Sequence, residues 1–190
     1  MSVSLIENNV LCLREIQKND IEQIRIWRNQ EDTRKYFHQN STIDSQEQEE
    51  WYKRYQKKSD DIMFIIVLKT QHKESIGTTA LYHIDLDKKM AEFGRLMIPQ
   101  KNMKGRGFGK QATILTCIYG FEVLKLNSLH LSVLAHNQKA IQIYNQIGFK
   151  EETRTNDILY MNVGKEEFFQ VNKNLIGFEM LFKREKKEIE

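Results

Sequence analysis

Proline is almost absent from this chain. Pro99 is the only one in 190 residues, and no Gly/Ser tract accompanies it. Linkers are built from such residues, so the sequence offers no domain boundary. It reads as one unit over residues 1–184, with a charged tail at 185–190 that frays. Cysteine is scarce too: Cys12 and Cys117 give neither a disulfide framework nor a metal-ligand spacing. A reducing compartment is expected, and no metal. Long apolar runs are missing; the longest, residues 62–68, suits a buried strand and is far too short for a bilayer. No basic segment followed by an apolar stretch opens the chain, so a cytoplasmic location with no membrane partner is expected. Charge of one sign is not in excess. Lys+Arg 29 against Asp+Glu 26 leaves +3, too little for stable nucleic-acid binding. A hydrophobic fraction of 40% excludes a disordered chain.

What is present falls into alternating elements. Residues 9–16 read as a strand, with Leu11 and Leu13 in alternation. Asp20 is placed to cap a helix that carries Ile21, Ile24 and Trp27 at helical spacing and closes on Arg28 and Asn29. A polar loop at 38–44 leads to a second helix near Ser45, which makes a capping-box spacing with Gln48. Strands at 62–68, 75–84 and 90–98 follow, the last two joined by a hairpin turn at 85–89. After a basic glycine-rich loop come an apolar helix at 108–124, a strand at 128–134 and a helix at 137–147 that Gly148 stops. Strands near 158–163 and 175–182 end the series. This order predicts a mixed α/β layer architecture rather than a regular βαβ repeat.

Three of the nine glycines lie together in Lys104-Gly105-Arg106-Gly107-Phe108-Gly109-Lys110, between a strand and a helix. Glycine lets backbone N–H groups turn toward a ligand, and a helix N-terminus attracts anions. Residues 101–110 hold three lysines and an arginine with no acid, which suits a pyrophosphate. A mobile surface turn is the plain alternative. A Mg-nucleotide P-loop needs glycine where Lys104 stands and Ser or Thr where Gln111 stands. The dinucleotide pattern Gly107-x-Gly109-x-x-Ala112 is met, but the next strand ends in Val133-Leu134-Ala135 without the ribose-binding acid.

A second motif, Asn137-x-x-Ala140-x-x-x-Tyr144-x-x-x-Gly148-Phe149, follows at a fixed separation. The pair resembles the GNAT superfamily of acetyl-CoA-dependent N-acetyltransferases, with Lys104 in place of the usual Gln or Arg. Trp27-Arg28-Asn29 further resembles the branch containing ribosomal-protein N-terminal, polyamine and nucleotide-amino-sugar acetyltransferases. The resemblance implies a central mixed, mostly antiparallel sheet of about seven strands flanked by about four helices. It implies acetyl transfer to a primary amine of a small molecule or peptide, by direct attack through a tetrahedral intermediate. The chain would act as a monomer or homodimer.

The resemblance also places roles. Lys104, Gly105, Arg106, Gly107, Phe108, Gly109 and Lys110 would hold the CoA pyrophosphate. Leu96, Met97 and Ile98 would pair with the pantetheine arm like an added strand. Asn137 would touch that arm and Tyr144 would protonate the leaving sulfur. Taken alone, Asn137 reads as a helix cap and Tyr144 as a core aromatic. Glu92 shares a strand face with Met90, Gly94, Leu96 and Ile98; a carboxylate there is either a general base or a salt-bridge partner of Arg95 or Arg28. His83, Asp85 and His38 are lesser candidates for the base. Trp27, Arg28, Asn29, His38, Asn40 and the segment after Asn156 would contact the acceptor, while Glu47, Glu49 and Glu50 offer some acid for a polyamine or a solvated helix face. The alternative to catalysis is a non-catalytic acyl-CoA sensor or scaffold.

Overall fold

A computed structural model describes residues 4–37 and 39–173. The elements are β1 (Ser4–Glu7), β2 (Leu11–Glu15), α1 (Ile21–Asn29), α2 (Glu31–Arg34), α3 (Ser45–Tyr55), β3 (Asp61–Leu68), β4 (Glu74–Asp85) and β5 (Met90–Met97). Then come α4 (Phe108–Ile118), prolonged by a π-helical turn over Tyr119–Val123, β6 (Ser128–Leu134), α5 (Gln138–Ile147), β7 (Lys150–Arg154), β8 (Ile158–Gly164) and α6 (Lys165–Val171). The strands form one sheet ordered β1-β2-β3-β4-β5-β6-β8-β7. Every pairing is antiparallel except β5 with β6.

The mixed, mostly antiparallel sheet is the expected one, with eight strands among the described residues rather than about seven. The two short extra strands, β1 and β7, lie at its edges. The strand expected at 175–182 and the tail at 185–190 lie outside the described residues.

Helices cover both faces. On one face α4, α5 and α6 pack against Phe93, Leu129, Leu131 and Val163. On the other, Ile21, Ile24 and Trp27 of α1 and Tyr52 and Tyr55 of α3 pack against Met63, Ile65, Val67 and Ala80. The near-continuous apolar run of β3 follows from burial on both faces.

Two caps fall one step from the expected residues. Asp20 closes a 3-10 turn and makes no side-chain cap for α1. Its carboxylate instead accepts from the Gln17 amide at 2.8 Å and takes a two-pronged bond from Arg14 at 2.7 Å. The capping box of α3 is Asp44 with Glu47, not Ser45 with Gln48. Gln48 is thereby turned inward, 4% exposed.

One irregularity decides the face of the site. β5 carries a bulge where Arg95 adopts φ 50°, between the pairs Ala80–Gly94 and Thr78–Met97. A bulge inserts a residue and reverses the alternation beyond it. Leu96 and Ile98 therefore pack with the α4/α5 face, while Met97 packs with the α1/α3 face. The shared face expected for Glu92, Gly94, Leu96 and Ile98 is thus broken after Gly94.

Candidate active site

β5 and β6 run parallel but pair only through Met90, Ala91 and Glu92 with Ser128, Leu129 and His130. Beyond Glu92 the strands part. The β5 edge from Phe93 to Met97 has no strand partner on that side among the described residues, which leaves backbone groups to be satisfied by something else.

A cavity of about 560 Å³ opens at this gap. It gathers Leu96, Met97 and Ile98 from β5 and its end, Lys104, Gly105, Gly107, Phe108, Gly109 and Lys110 from the loop, and Asn137 and Tyr144 from α5. Of the expected cofactor residues only Arg106 is off the wall; its guanidinium sits 4.9 Å over the Phe108 ring. Gly105 and Gly107 take φ values of 77° and 79°, a left-handed backbone that favours glycine. Gly107 is the N-cap of α4, so no side chain caps the helix and no acid lies in its first turn. The helix start, with Lys104 and Lys110 on the cavity wall, is a candidate anion cradle, and the Lys110 ammonium also donates to Gln146 at 3.1 Å.

Asn137 caps α5, accepting from the Ala140 amide at 3.3 Å. Capping occupies one side of its amide and leaves the rest on the cavity wall. Tyr144 packs its ring edge-on to Phe93 at 5.9 Å and against Phe149 at 5.8 Å. Burial pushes its phenol well above the ordinary tyrosine range, so it keeps its proton at any working pH.

Across the sheet lies a second cavity of about 620 Å³, between α1, residues 39–43, α3 and the ends of β4 and β5. Arg28, Trp51, Arg54, Tyr82 and Arg95 line it. Met97 and Phe37 line both cavities, so the two meet at the end of β5.

Glu92 lies on the sheet face opposite its neighbours Ala91 and Phe93, and it lines neither cavity. Its carboxylate accepts from Tyr82 Oη at 2.8 Å and Ser132 Oγ at 3.3 Å, and lies 3.1 Å from His83 Nδ1. Neither Arg95 nor Arg28 pairs with it. Arg95 instead grips Asp61, with bonds of 2.7 and 2.9 Å, and stacks 4.6 Å over the Tyr82 ring. Burial, then Glu92, raises the Tyr82 phenol above its usual range, so it remains a hydrogen-bond donor. Asp85 is held by the Lys88 backbone amide at 2.8 Å, which lowers its pKa, and serves the turn.

The expected acceptor residues divide. Arg28 is on the cavity wall. Trp27 is 4% exposed in the core beneath. Asn29 donates from its side-chain amide to the Ile43 carbonyl at 2.7 Å and accepts at Oδ1 from the Ile43 backbone amide at 2.9 Å, so it shapes the loop over the cavity. Asn40 is exposed and off the wall. His38 lies outside the described residues. The sequence alone did not single out Tyr82 or Ser132. Tyr82 stands opposite Glu92 in the β4–β5 register, but a second irregularity, between Tyr82 and Asp85, defeats counting back from the turn.

The profile of the acetyltransferase (GNAT) domain matches residues 10–150. This chain belongs to the GNAT acetyltransferases. Among curated proteins, the spermidine N(1)-acetyltransferase of Vibrio cholerae is 26% identical over 155 residues, 82% of this chain and 87% of that protein. The acetyltransferase PseH of Campylobacter jejuni is 31% identical over 135 residues, 71% of this chain and 80% of that one. Among solved structures, the Vibrio cholerae spermidine N-acetyltransferase in complex with CoA and spermine superposes with a TM-score of 0.75 at 25% identity. It covers 84% of this chain and 98% of its own.

Within the GNAT domain, the parting of β5 and β6 and the glycine loop are built by the matched region. No described helix is long and apolar enough to cross a membrane, and no described cluster of His, Cys, Asp and Glu is arranged to hold a metal.

Proposed function

We propose that this chain moves an acetyl group from acetyl-CoA to the primary amine of a small molecule, working in the cytoplasm without a metal. The meeting of two cavities at Met97 and Phe37 carries the reading, because it lets a donor on one face of the sheet reach an acceptor on the other. The residues fit a CoA: an uncapped helix start with glycines and lysines for the pyrophosphate, and an unpaired strand edge for an amide-bearing arm. Acetyl-CoA supplies the activated thioester.

The chain's own groups do the rest. The loop amides from Arg106 to Lys110 bind phosphate oxygens, with Lys104 adding charge. Leu96, Met97 and Ile98 offer backbone bonds to the arm, and an amide there polarises the carbonyl. Asn137 positions the arm. Glu92, held by Tyr82 and Ser132, takes a proton from the incoming ammonium, directly or through a water. Tyr144, kept protonated by burial, gives its Oη proton to the leaving sulfur. Trp27 and Asn29 support the acceptor wall from behind.

Calorimetric titration with acetyl-CoA, with NADH as control, tests the first half. Micromolar acetyl-CoA binding without NADH binding is the expected result, and no acetyl-CoA binding ends the reading. Thiol release across a panel of amines then separates turnover from a sensor that binds without reacting.

A further inference from the structure

The acceptor cavity is lopsided in charge. Arg28, Arg54 and Arg95 line it, against Glu47 alone. Arg95 is matched by Asp61, and the Glu47 carboxylate accepts from the Asp44 amide at 2.8 Å as half of the capping box. Arg28 and Arg54 make no ion pair among the described residues.

Arg28 is the more informative. Its Nη2 donates to the Gln39 carbonyl, and its guanidinium sits 3.8 Å over the Phe37 ring, at the junction of the two cavities. Its Nη1 is buried with no acceptor among the described residues. A guanidinium can only donate, so the partner it would take is an oxygen. Gln48 repeats the observation from α3: it is 4% exposed, lines the same cavity, and its Nε2 is buried without a partner among the described residues. Burial, then the neighbouring Arg34, depresses the pKa of Arg28, the mark of a cation lacking its counter-charge.

Resting on the acetyltransferase reading above, we propose that the acceptor is a small primary amine that also carries an oxyanion, a phosphate or a carboxylate. Arg28 and Gln48, with Arg54 at the rim, bind that oxyanion. A guanidinium fork matches either group. A polyamine brings only positive charge toward these arginines, and the one acid on the wall, Glu47, has one carboxylate oxygen held in the capping box of α3.

Two measurements test this. In the first, protein saturated with CoA is titrated with inorganic pyrophosphate. Binding that weakens at least tenfold in both Arg28→Gln and Arg54→Gln supports the proposal. No binding, or binding that neither variant changes, overturns it, and Arg54 is exposed enough that its variant folds. In the second, thiol release is followed with glucosamine against glucosamine 6-phosphate, tyramine against tyrosine, and spermidine. The anion-bearing member is expected to win by at least tenfold in kcat/KM, and the winning pair tells phosphate from carboxylate. Preference for spermidine or for the neutral members overturns the proposal. Absence of acetyl-CoA binding fails the transferase reading instead; the titration is then run on the free protein, where pyrophosphate binding lost in Arg28→Gln and Arg54→Gln but kept in Gly107→Glu supports this proposal, and the reverse pattern overturns it.

Discussion

Tyr82 and Glu92 stand directly opposite one another on β4 and β5, and the Tyr82 hydroxyl donates to the Glu92 carboxylate at 2.8 Å. Ser132 reaches the same carboxylate from β6, where the two parallel strands have already begun to part. The acid is fixed at the mouth of the gap, on the acceptor face, by donors from both sides.

Glu92→Gln is expected to lower turnover about 100-fold, the usual scale of a lost general base. The loss is greatest at pH values where the amine is protonated and shrinks as the free amine accumulates. A pH–rate profile of wild type and variant checks this; a uniform drop at every pH makes Glu92 structural.

Tyr144→Phe keeps the ring packing and removes only the acid. About a 100-fold fall in kcat is expected, with little change in acetyl-CoA affinity. Because burial raises the phenol pKa, Tyr144 stays protonated and contributes no fall in rate up to the ordinary tyrosine range. A basic limb below that range that disappears in the variant contradicts the raised pKa, and an unchanged kcat in the variant contradicts the acid role.

Gly107→Glu puts a carboxylate into the anion cradle at φ 79°. Left-handed backbone costs a non-glycine residue about 1–2 kcal/mol, and the charge adds repulsion. Acetyl-CoA Kd is expected to rise at least about tenfold, the equivalent of roughly 1.4 kcal/mol. Gly107→Ala carries the strain without the charge. Equal affinity in the glutamate variant and wild type removes the pyrophosphate from this loop.

Asp61→Asn removes the charge that holds Arg95. The Asp61 side chain is 2% exposed and that of Arg95 26%, so the pair is sheltered from solvent. Denaturant unfolding is expected to show a loss of about 2 kcal/mol, the scale of hydrogen bonds to a charged group. Activity should fall as well, because the bulge at Arg95 sets which way Leu96 and Met97 face.

The glycine loop, Asn137 and Tyr144 were legible because motif and helical spacing are local, and they converge on one cavity. The edge strand β7 was not. Its Lys150–Arg154 residues are all exposed and carry no alternation to read. The bulge at Arg95 was hidden for a different reason. Arginine gives no local sign of a left-handed turn, and its anchor, Asp61, lies two strands away. The acceptor cavity draws on residues from 24 to 97 in the chain, so only the folded sheet assembles it. Trp27 and Asn29 were visible as a motif, yet their contacts place them behind the wall and in its loop.

The short seam between β5 and β6 has a mechanical meaning. Among the described residues only three ladder pairs join the two halves of the eight-stranded sheet, supplemented by the Ser132–Glu92 bond and the bonds from residues 127 and 128 to the Lys89 carbonyl. If acetyl-CoA bonds along the open edge as proposed, it extends that seam, and rigidity becomes something the chain borrows from its donor. Stability then rises with donor concentration, as for any ligand bound only by the folded state.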